Sequence, residues 1–210
     1  MVAENAQNGM KLTGMFDENY WRSRYEEGRT AWDTGAVTPP LREYFNQLGA
    51  PDARRILIPG AGHSYEAEYL HAVGFSQVVV ADLVAEPLAA LRRRVPSFPA
   101  QHLLQQDFFQ LPAIPPYDLV VEQTFFCALD PALRPAYARQ CAHLLRPGGT
   151  LAGLLFDTDF GSATEPPFGG TREEYLAYFD PYFDFVHFDT AYNSLEPRQG
   201  RELFICLRRK

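Results

Sequence analysis

The chain has 210 residues, 46% of them apolar and 21% charged, which is enough core material for one globular domain. A formal charge of −7 argues against any general affinity for nucleic acid or an anionic membrane surface. Cys127, Cys141 and Cys206 lie far apart with no CxxC spacing, which fits free thiols in a reducing cytoplasm better than a disulfide framework.

The first residues, 1–14, lack the apolar run of a signal peptide and are expected to be loose, ahead of a single domain over 15–210. No stretch of the chain approaches the length of a membrane span. In chain order, "DENYWRSRYEEG" (17–28) sets aromatic residues four apart at 21 and 25, a helical spacing. "TPPLREYFNQLG" (38–49) reads as a second helix, capped by Thr38, with prolines in its first turn and Gly49 as its stop. Strands and helices then alternate. "RILIPG" (55–60) is a buried strand, 66–74 a helix closed by Gly74, "QVVVADL" (77–83) a strand and "AEPLAALRRRV" (85–95) a helix. A weak strand over 101–107 and a strong one over 117–123 follow, then a long helix over 131–149 ending on a glycine pair, and a fifth strand over 150–156. After a loop over 157–170 and a helix over 171–179, strands near 183–189 and 202–208 form a hairpin. The pattern predicts a doubly wound α/β fold: a mostly parallel, seven-stranded sheet with helices on both faces and an antiparallel C-terminal hairpin.

"LIPGAG" puts Gly60 and Gly62 in the first strand-to-helix turn, where the missing Cβ atoms let a ligand approach the backbone. Asp82, at the end of the second strand, stands where a carboxylate accepts hydrogen bonds from ribose hydroxyls. Asp107, at the end of the third, suits the exocyclic amine of adenine. A nicotinamide dinucleotide would want a third glycine for close helix packing, and a helix start free of negative charge for its pyrophosphate. Tyr65 and Glu66 stand there instead, and neither harms S-adenosylmethionine, which carries no phosphate. The loop therefore favours S-adenosylmethionine. An NAD-binding oxidoreductase, whose Tyr-xxx-Lys pair is missing, and a non-catalytic cofactor-binding protein stand as alternatives. A nucleic-acid methyltransferase would carry [DNS]PP[YFW] after the fourth strand, where "EQTFF" stands.

Several stretches together resemble one family. "YWRSRYEEGRTAWDTGAVTPPL", "LIPGAGHSYEAEYL", "FFCALDPALRPAYARQCAHLLRPGGTL" and "PPFGGTREEY" occur in the order found in the thiopurine, thiol and halide methyltransferases, closest to the thiol/halide branch. The resemblance runs from about Phe16 to the carboxyl terminus. It implies a Rossmann-like methyltransferase whose N-terminal helices cover S-adenosylmethionine, with Trp21, Tyr25 and Trp32 at the cofactor. Gly60 and Asp82 match the loop and ribose positions, Asp107 and Phe108 the adenine site. Gln123, where the branch often has tyrosine, falls at the cofactor just after the fourth strand. Arg134 matches a family arginine near the acceptor end, and Glu122 a family acid placed to bond the methionine ammonium or an entering acceptor. These two are the candidate catalytic residues.

The implied reaction is methyl transfer to a small nucleophile, a thiol, thiopurine or halide. A thiolate or halide asks little of a general base, so the absence of a catalytic dyad does not count against it. A sulfonium is attracted to ring faces, which gives the aromatic residues a purpose beyond packing. Cys127 is expected as a small buried thiol beside the pocket, and 157–170 as a cover on the acceptor side. The five histidines show no metal-ligand spacing, so no metal is expected. The expected partner is a small-molecule acceptor rather than nucleic acid or membrane, and the chain is expected as a monomer or weak homodimer.

Overall fold

The computed structural model describes residues 16–51 and 53–210; the segment 1–14 expected to be loose lies outside them. Two helices, α1 (Glu18–Glu26) and α2 (Pro39–Asn46), precede the first strand. Then come β1 (Ile56–Pro59), α3 (Tyr65–Ala72), β2 (Val78–Asp82), α4 (Ala85–Arg94), β3 (Leu103–Gln105) and β4 (Tyr117–Gln123). The second half runs α5 (Arg134–Leu144), β5 (Leu145–Phe156), α6 (Arg172–Phe179), β6 (Phe183–Thr190) and β7 (Glu202–Arg209). The seven strands form one sheet in the order β3-β2-β1-β4-β5-β7-β6. The first five are parallel, and β7 inserts antiparallel between β5 and β6. The predicted architecture is the observed one.

Period-two side-chain alternation divides the core in two. Ile56, Ile58, Val78 and Val80 face Leu41 and Phe45 of α2, Leu70 of α3 and Leu88 of α4. Leu57, Val79 and Val120 face Tyr137 and Cys141 of α5 and Phe179 of α6. Because β1 is flanked by β2 on one side and β4 on the other, the chain reverses its winding between β1 and β4, where sheets of this kind open a crevice at their carboxyl ends.

The long helix expected over 131–149 is shorter. A 3-10 turn over Pro131–Leu133 leads into α5, and the chain is already extended at Leu145, with φ −77° and ψ 147°. Pro147 disfavours helical torsions at Arg146, and Leu145 pairs with Tyr117. The glycine pair sits in a wide irregularity of β5, where pairing jumps from Tyr117/Leu145 to Leu119/Thr150. Thr38 does start α2, but its side chain makes no cap; the hydroxyl donates instead to Gln123 Oε1 at 3.2 Å.

Candidate active site

The carboxyl ends of β1, β2 and β4 open into a cleft of about 360 Å³, within the usual range for small-molecule sites. Its floor is the turn after β1. Gly60 has φ +73° and donates to the Ala81 carbonyl at 2.8 Å; a Cβ there would stand 2.5 Å from the Phe125 ring. Gly62 has φ +50°, and a Cβ there would stand 3.6 Å from the Trp32 ring. Ser64, also left-handed at φ 57°, turns the chain into α3.

Asp82 fastens that turn to β2. One carboxylate oxygen accepts from Ala61 N at 2.7 Å and the other from Val84 N at 2.8 Å. Burial pushes its carboxyl up to about 6 against the pull of those backbone donors. Asp107 likewise accepts from Phe109 N at 2.9 Å, and its half-burial also raises its pKa. Phe108 packs edge-on against Phe125, with centroids 5.4 Å apart.

The roof is aromatic. Trp32 meets Trp21 and Tyr25 edge-to-face, at centroid distances of 5.9 and 5.5 Å. The loop carrying Trp32 is pinned on three sides: Arg198 donates to the Trp32 carbonyl at 3.2 Å, Tyr65 donates to Asp33 at 3.0 Å, and His63 lies 3.3 Å from the same carboxylate. Among the described residues the buried Trp32 Nε1 has no hydrogen-bond partner. The segment 157–170 completes the cover: Phe160, Pro166 and Pro167 line the cleft. Phe16, two residues ahead of α1, packs against Phe168 with centroids 5.4 Å apart, and Arg24 of α1 reaches Glu165 at 3.0 Å, which joins this segment to the N-terminal part of the fold.

All nine residues expected at the cofactor, Gln123 among them, line this one cleft. The two expected catalytic residues do not. Glu122, fully buried, points the other way from Gln123: Oε1 accepts from Phe125 N and Phe126 N at 2.7 and 2.9 Å, and Oε2 from the Tyr137 hydroxyl at 2.5 Å. Burial pushes it up to about 7, against those three donors. Arg134, 1% exposed, donates to the carbonyls of Phe168 and Gly169 at 3.1 and 2.8 Å and to Glu174 at 3.3 Å. Both therefore hold the backbone that borders the cleft, Glu122 the turn after β4 and Arg134 the end of the 157–170 segment.

Four arginines that sequence reasoning passed over line the cleft: Arg24, Arg29, Arg198 and Arg201. Arg198 pairs with the buried Glu202 at 3.2 Å and lies over Phe156, while Arg201 lies over Phe160. The signal for Arg198 and Arg201 was the hairpin: β7 runs antiparallel to β5, and Glu202 pairs with Phe156, so residues just before β7 sit at the carboxyl edge of β5. Thr124 was also missed. It is β-branched with φ 59°, a strained state costing about 1–3 kcal/mol, and it lies in the turn that Glu122 holds. Cys127 lines the cleft, and burial pushes its thiol up to about 12, which keeps it protonated and unreactive. Among the described residues no cluster of histidine, cysteine or carboxylate groups could hold a metal ion.

Residues 16–206 match the family model described as "Thiopurine S-methyltransferase (TPMT)". The chain is 30% identical to "Probable thiol methyltransferase 2" of Arabidopsis thaliana, over 96% of this chain and 85% of that protein. It is 28% identical to "Thiocyanate methyltransferase 1" of Brassica oleracea, over 89% of this chain and 83% of the other. A crystal structure of the Burkholderia thailandensis 1,6-didemethyltoxoflavin-N1-methyltransferase, with S-adenosylhomocysteine bound, shares the fold at a TM-score of 0.73 and 22% identity, covering 92% of this chain and 87% of that one. With the sheet, the glycine turn and the ring-roofed cleft in place, the match over nearly the whole described chain settles the family: this chain belongs to the thiopurine S-methyltransferase family and is an S-adenosylmethionine-dependent methyltransferase.

Proposed function

We propose that the chain methylates the sulfur of a small thiol or thiopurine, and that halide ions, as small anions, are taken by the same site. The observation that carries this reading is the polarity of the cleft. Asp82 and Asp107 stand at the ends of β2 and β3, Arg198 and Arg201 stand just before β7 beside the carboxyl end of β5, and the rings of Trp21, Tyr25 and Trp32 line the same cleft.

The residues fit the methyl donor. Asp82 is positioned to accept from ribose hydroxyls and Asp107 from the adenine amine, with Phe108 against the ring. Gly60 and Gly62 admit close backbone contact. The rings of Trp21, Tyr25 and Trp32 each attract a sulfonium by about 0.5–2 kcal/mol, depending on desolvation. When bound, S-adenosylmethionine supplies a methyl group on positively charged sulfur, open to in-line displacement. A dinucleotide fits less well, because the first turn of α3 buries the carboxyl of Glu66 where a pyrophosphate would need positive potential.

Among the described residues neither histidine nor lysine lines the cleft. The chain's contribution is therefore positioning, charge and exclusion of water. Arg198 and Arg201 lower the pKa of a thiol that enters beside them and hold it as the nucleophilic thiolate. The aromatic roof keeps water from the methyl group. A single methyltransferase domain over 15–210, with N-terminal helices covering the donor, belongs to the same reading. So does a cytoplasmic setting, which all three cysteines support as free thiols; among the described residues no helix is long and apolar enough to cross a membrane. A monomer or weak homodimer belongs to the same reading.

Thermal unfolding tests the donor. S-adenosylmethionine at a hundred times its Kd adds about 2.7 kcal/mol of stability, and NAD adds none. Incubation with methyl-labelled donor and hydrosulfide, thiocyanate, iodide, aromatic thiols and thiopurines tests the acceptor, with label expected on sulfur, or on iodine where iodide is the acceptor. Stabilisation by NAD alone, or no labelled product from any of these, overturns the reading.

A further inference from the structure

Glu122 is the most deeply buried carboxyl group among the described residues, 0% exposed, and it holds up one wall of the cleft. Oε1 accepts from Phe125 N and Phe126 N, and Oε2 from the Tyr137 hydroxyl. The stretch fixed in this way contributes Gln123, Thr124, Phe125, Cys127 and Ala128 to the cleft lining. It is a strained stretch: Thr124 is β-branched with φ 59°, and its hydroxyl donates to the Gln123 carbonyl at 2.7 Å. Phe125 is wedged in place, its ring over Gly60 and edge-on to Phe108. A strained turn persists only where its surroundings over-determine it, so this wall keeps its shape while the carboxyl group holds it.

How firmly it holds depends on its proton. As a carboxylate it accepts all three hydrogen bonds, and the charge makes each of them stronger. As a neutral acid it accepts through one oxygen, while the other turns its proton toward the Tyr137 oxygen. Burial pushes the group up to about 7, so both forms are populated near neutral pH. The titratable groups that face it are Tyr137 and Cys141 of α5 and Cys127 of the turn, and burial keeps each of them protonated. Arg134, also on α5, lies over the Phe126 ring at 5.0 Å and is bonded to Phe168, Gly169 and Glu174. Across the sheet the partner of Glu122 on β5 is Gly153, where a Cβ would stand 2.4 Å from the Glu122 Cβ.

We propose that Glu122 is a positioning residue for methyl transfer: its carboxylate form locks the turn after β4 in the shape that aligns acceptor and methyl group, and its neutral form leaves the turn looser and the transfer slower. The proposal rests on the methyl-transfer reading above. Turnover and stability then respond to pH in opposite directions. The folded state holds this proton more tightly than the unfolded chain, so the group's contribution to stability falls as pH rises from about 4 to about 7. Turnover rises as the same proton leaves.

The test measures single-turnover methyl transfer in the full chain, with S-adenosylmethionine bound and thiobenzoate saturating. Thiobenzoate is ionised throughout about pH 5.5–8.5, so neither donor affinity nor acceptor ionisation shapes the profile. The wild-type rate is expected to rise about fivefold across that range. Glu122→Gln keeps the shape, accepts from both amides and donates to Tyr137, but cannot ionise; its rate is expected to stay within about twofold of the wild-type value at the acid end throughout. Tyr137→Phe removes one hydrogen bond to the carboxylate and is expected to move the midpoint of the rise upward, a second measure should the glutamine variant fold poorly. The infrared spectrum of the wild type minus that of Glu122→Gln, taken without acceptor, is expected to show one protonated carboxyl band that fades over the same interval. A wild-type to Glu122→Gln rate ratio that does not change with pH, a midpoint unmoved by Tyr137→Phe, or a difference spectrum without that band overturns the assignment. Wild-type protein that binds S-adenosylmethionine and shows the band, but methylates neither thiobenzoate nor any other small thiol, overturns the reading beneath it instead.

Discussion

Glu66 is a carboxyl group that this fold tolerates at a cost. It is 6% exposed in the first turn of α3, its Oε1 has no partner among the described residues, and burial pushes it up to about 7. In the unfolded chain the same group titrates near 4, so the folded state holds the proton more tightly. The resulting penalty is absent below about pH 4, grows as pH rises, and is complete above about 7. Glu66→Gln should therefore gain about 2 kcal/mol of stability at pH 8 and less than about 1 kcal/mol at pH 5, read from urea unfolding at the two pH values. Equal gains at both would mean that ionisation is not the cause. In the ribose-binding role proposed for it, Asp82, raised to about 6, carries the same linkage into binding. Ribose hydroxyls bond the carboxylate better than the neutral acid, so affinity for S-adenosylmethionine should rise as pH rises through about 6 and level off above it. Asp82→Ala should weaken binding by about 1.5–3 kcal/mol at pH 8 and abolish that pH dependence, both measurable by titration calorimetry. The residue types at these positions were legible in the sequence. Which way each side chain turns was less so: Glu122 and Gln123 are neighbours on one strand, and the two-residue period sends them to opposite faces, one under the turn and one to the cleft.

At the scale of elements, the matched family arginine shows how a site residue can act at second hand. Arg134 opens α5 and fills two carbonyls at the end of the 157–170 segment, so its removal should loosen the acceptor side and spare the donor side. Arg134→Met should destabilise the fold by about 2–4 kcal/mol, because it strips buried acceptors of their charged donor. In protein kept below its Tm, it should raise the acceptor KM several-fold, leave the Kd for S-adenosylmethionine within about twofold, and speed hydrogen exchange over 157–170. A donor Kd that rises along with the acceptor KM would place Arg134 in the cofactor site after all. The alternation of strands and helices was plain from apolar runs and glycine stops, yet the α5–β5 boundary was not. A helix-like run up to a glycine pair conceals that Pro147 and pairing with Tyr117 pull Leu145 into the sheet. The four arginines were hidden for a similar reason, since they lie on two stretches, 24–29 and 198–201, that are far apart in the chain and border one cleft only in the folded protein.

Seen whole, the molecule is a rigid sheet carrying a cover made from two distant parts of the chain. Composition and periodicity gave the sheet, because burying seven strands leaves few sequence patterns open. How the cover closes depends on packing between segments more than 140 residues apart, as Arg24 and Glu165 show with a separation of 141. That bond joins side chains 17% and 65% accessible, an ion pair of the surface kind worth about 0–1 kcal/mol. A fastening so slight unlatches spontaneously on the timescale of loop motion, and mobile ions weaken it further. Raising sodium chloride from about 0.05 to 0.5 M should therefore quicken escape of S-adenosylhomocysteine in stopped-flow traces of indole emission, an acceleration that Arg24→Gln abolishes. In that sense the enzyme's dwell time on its spent donor is set partly by the brine around it.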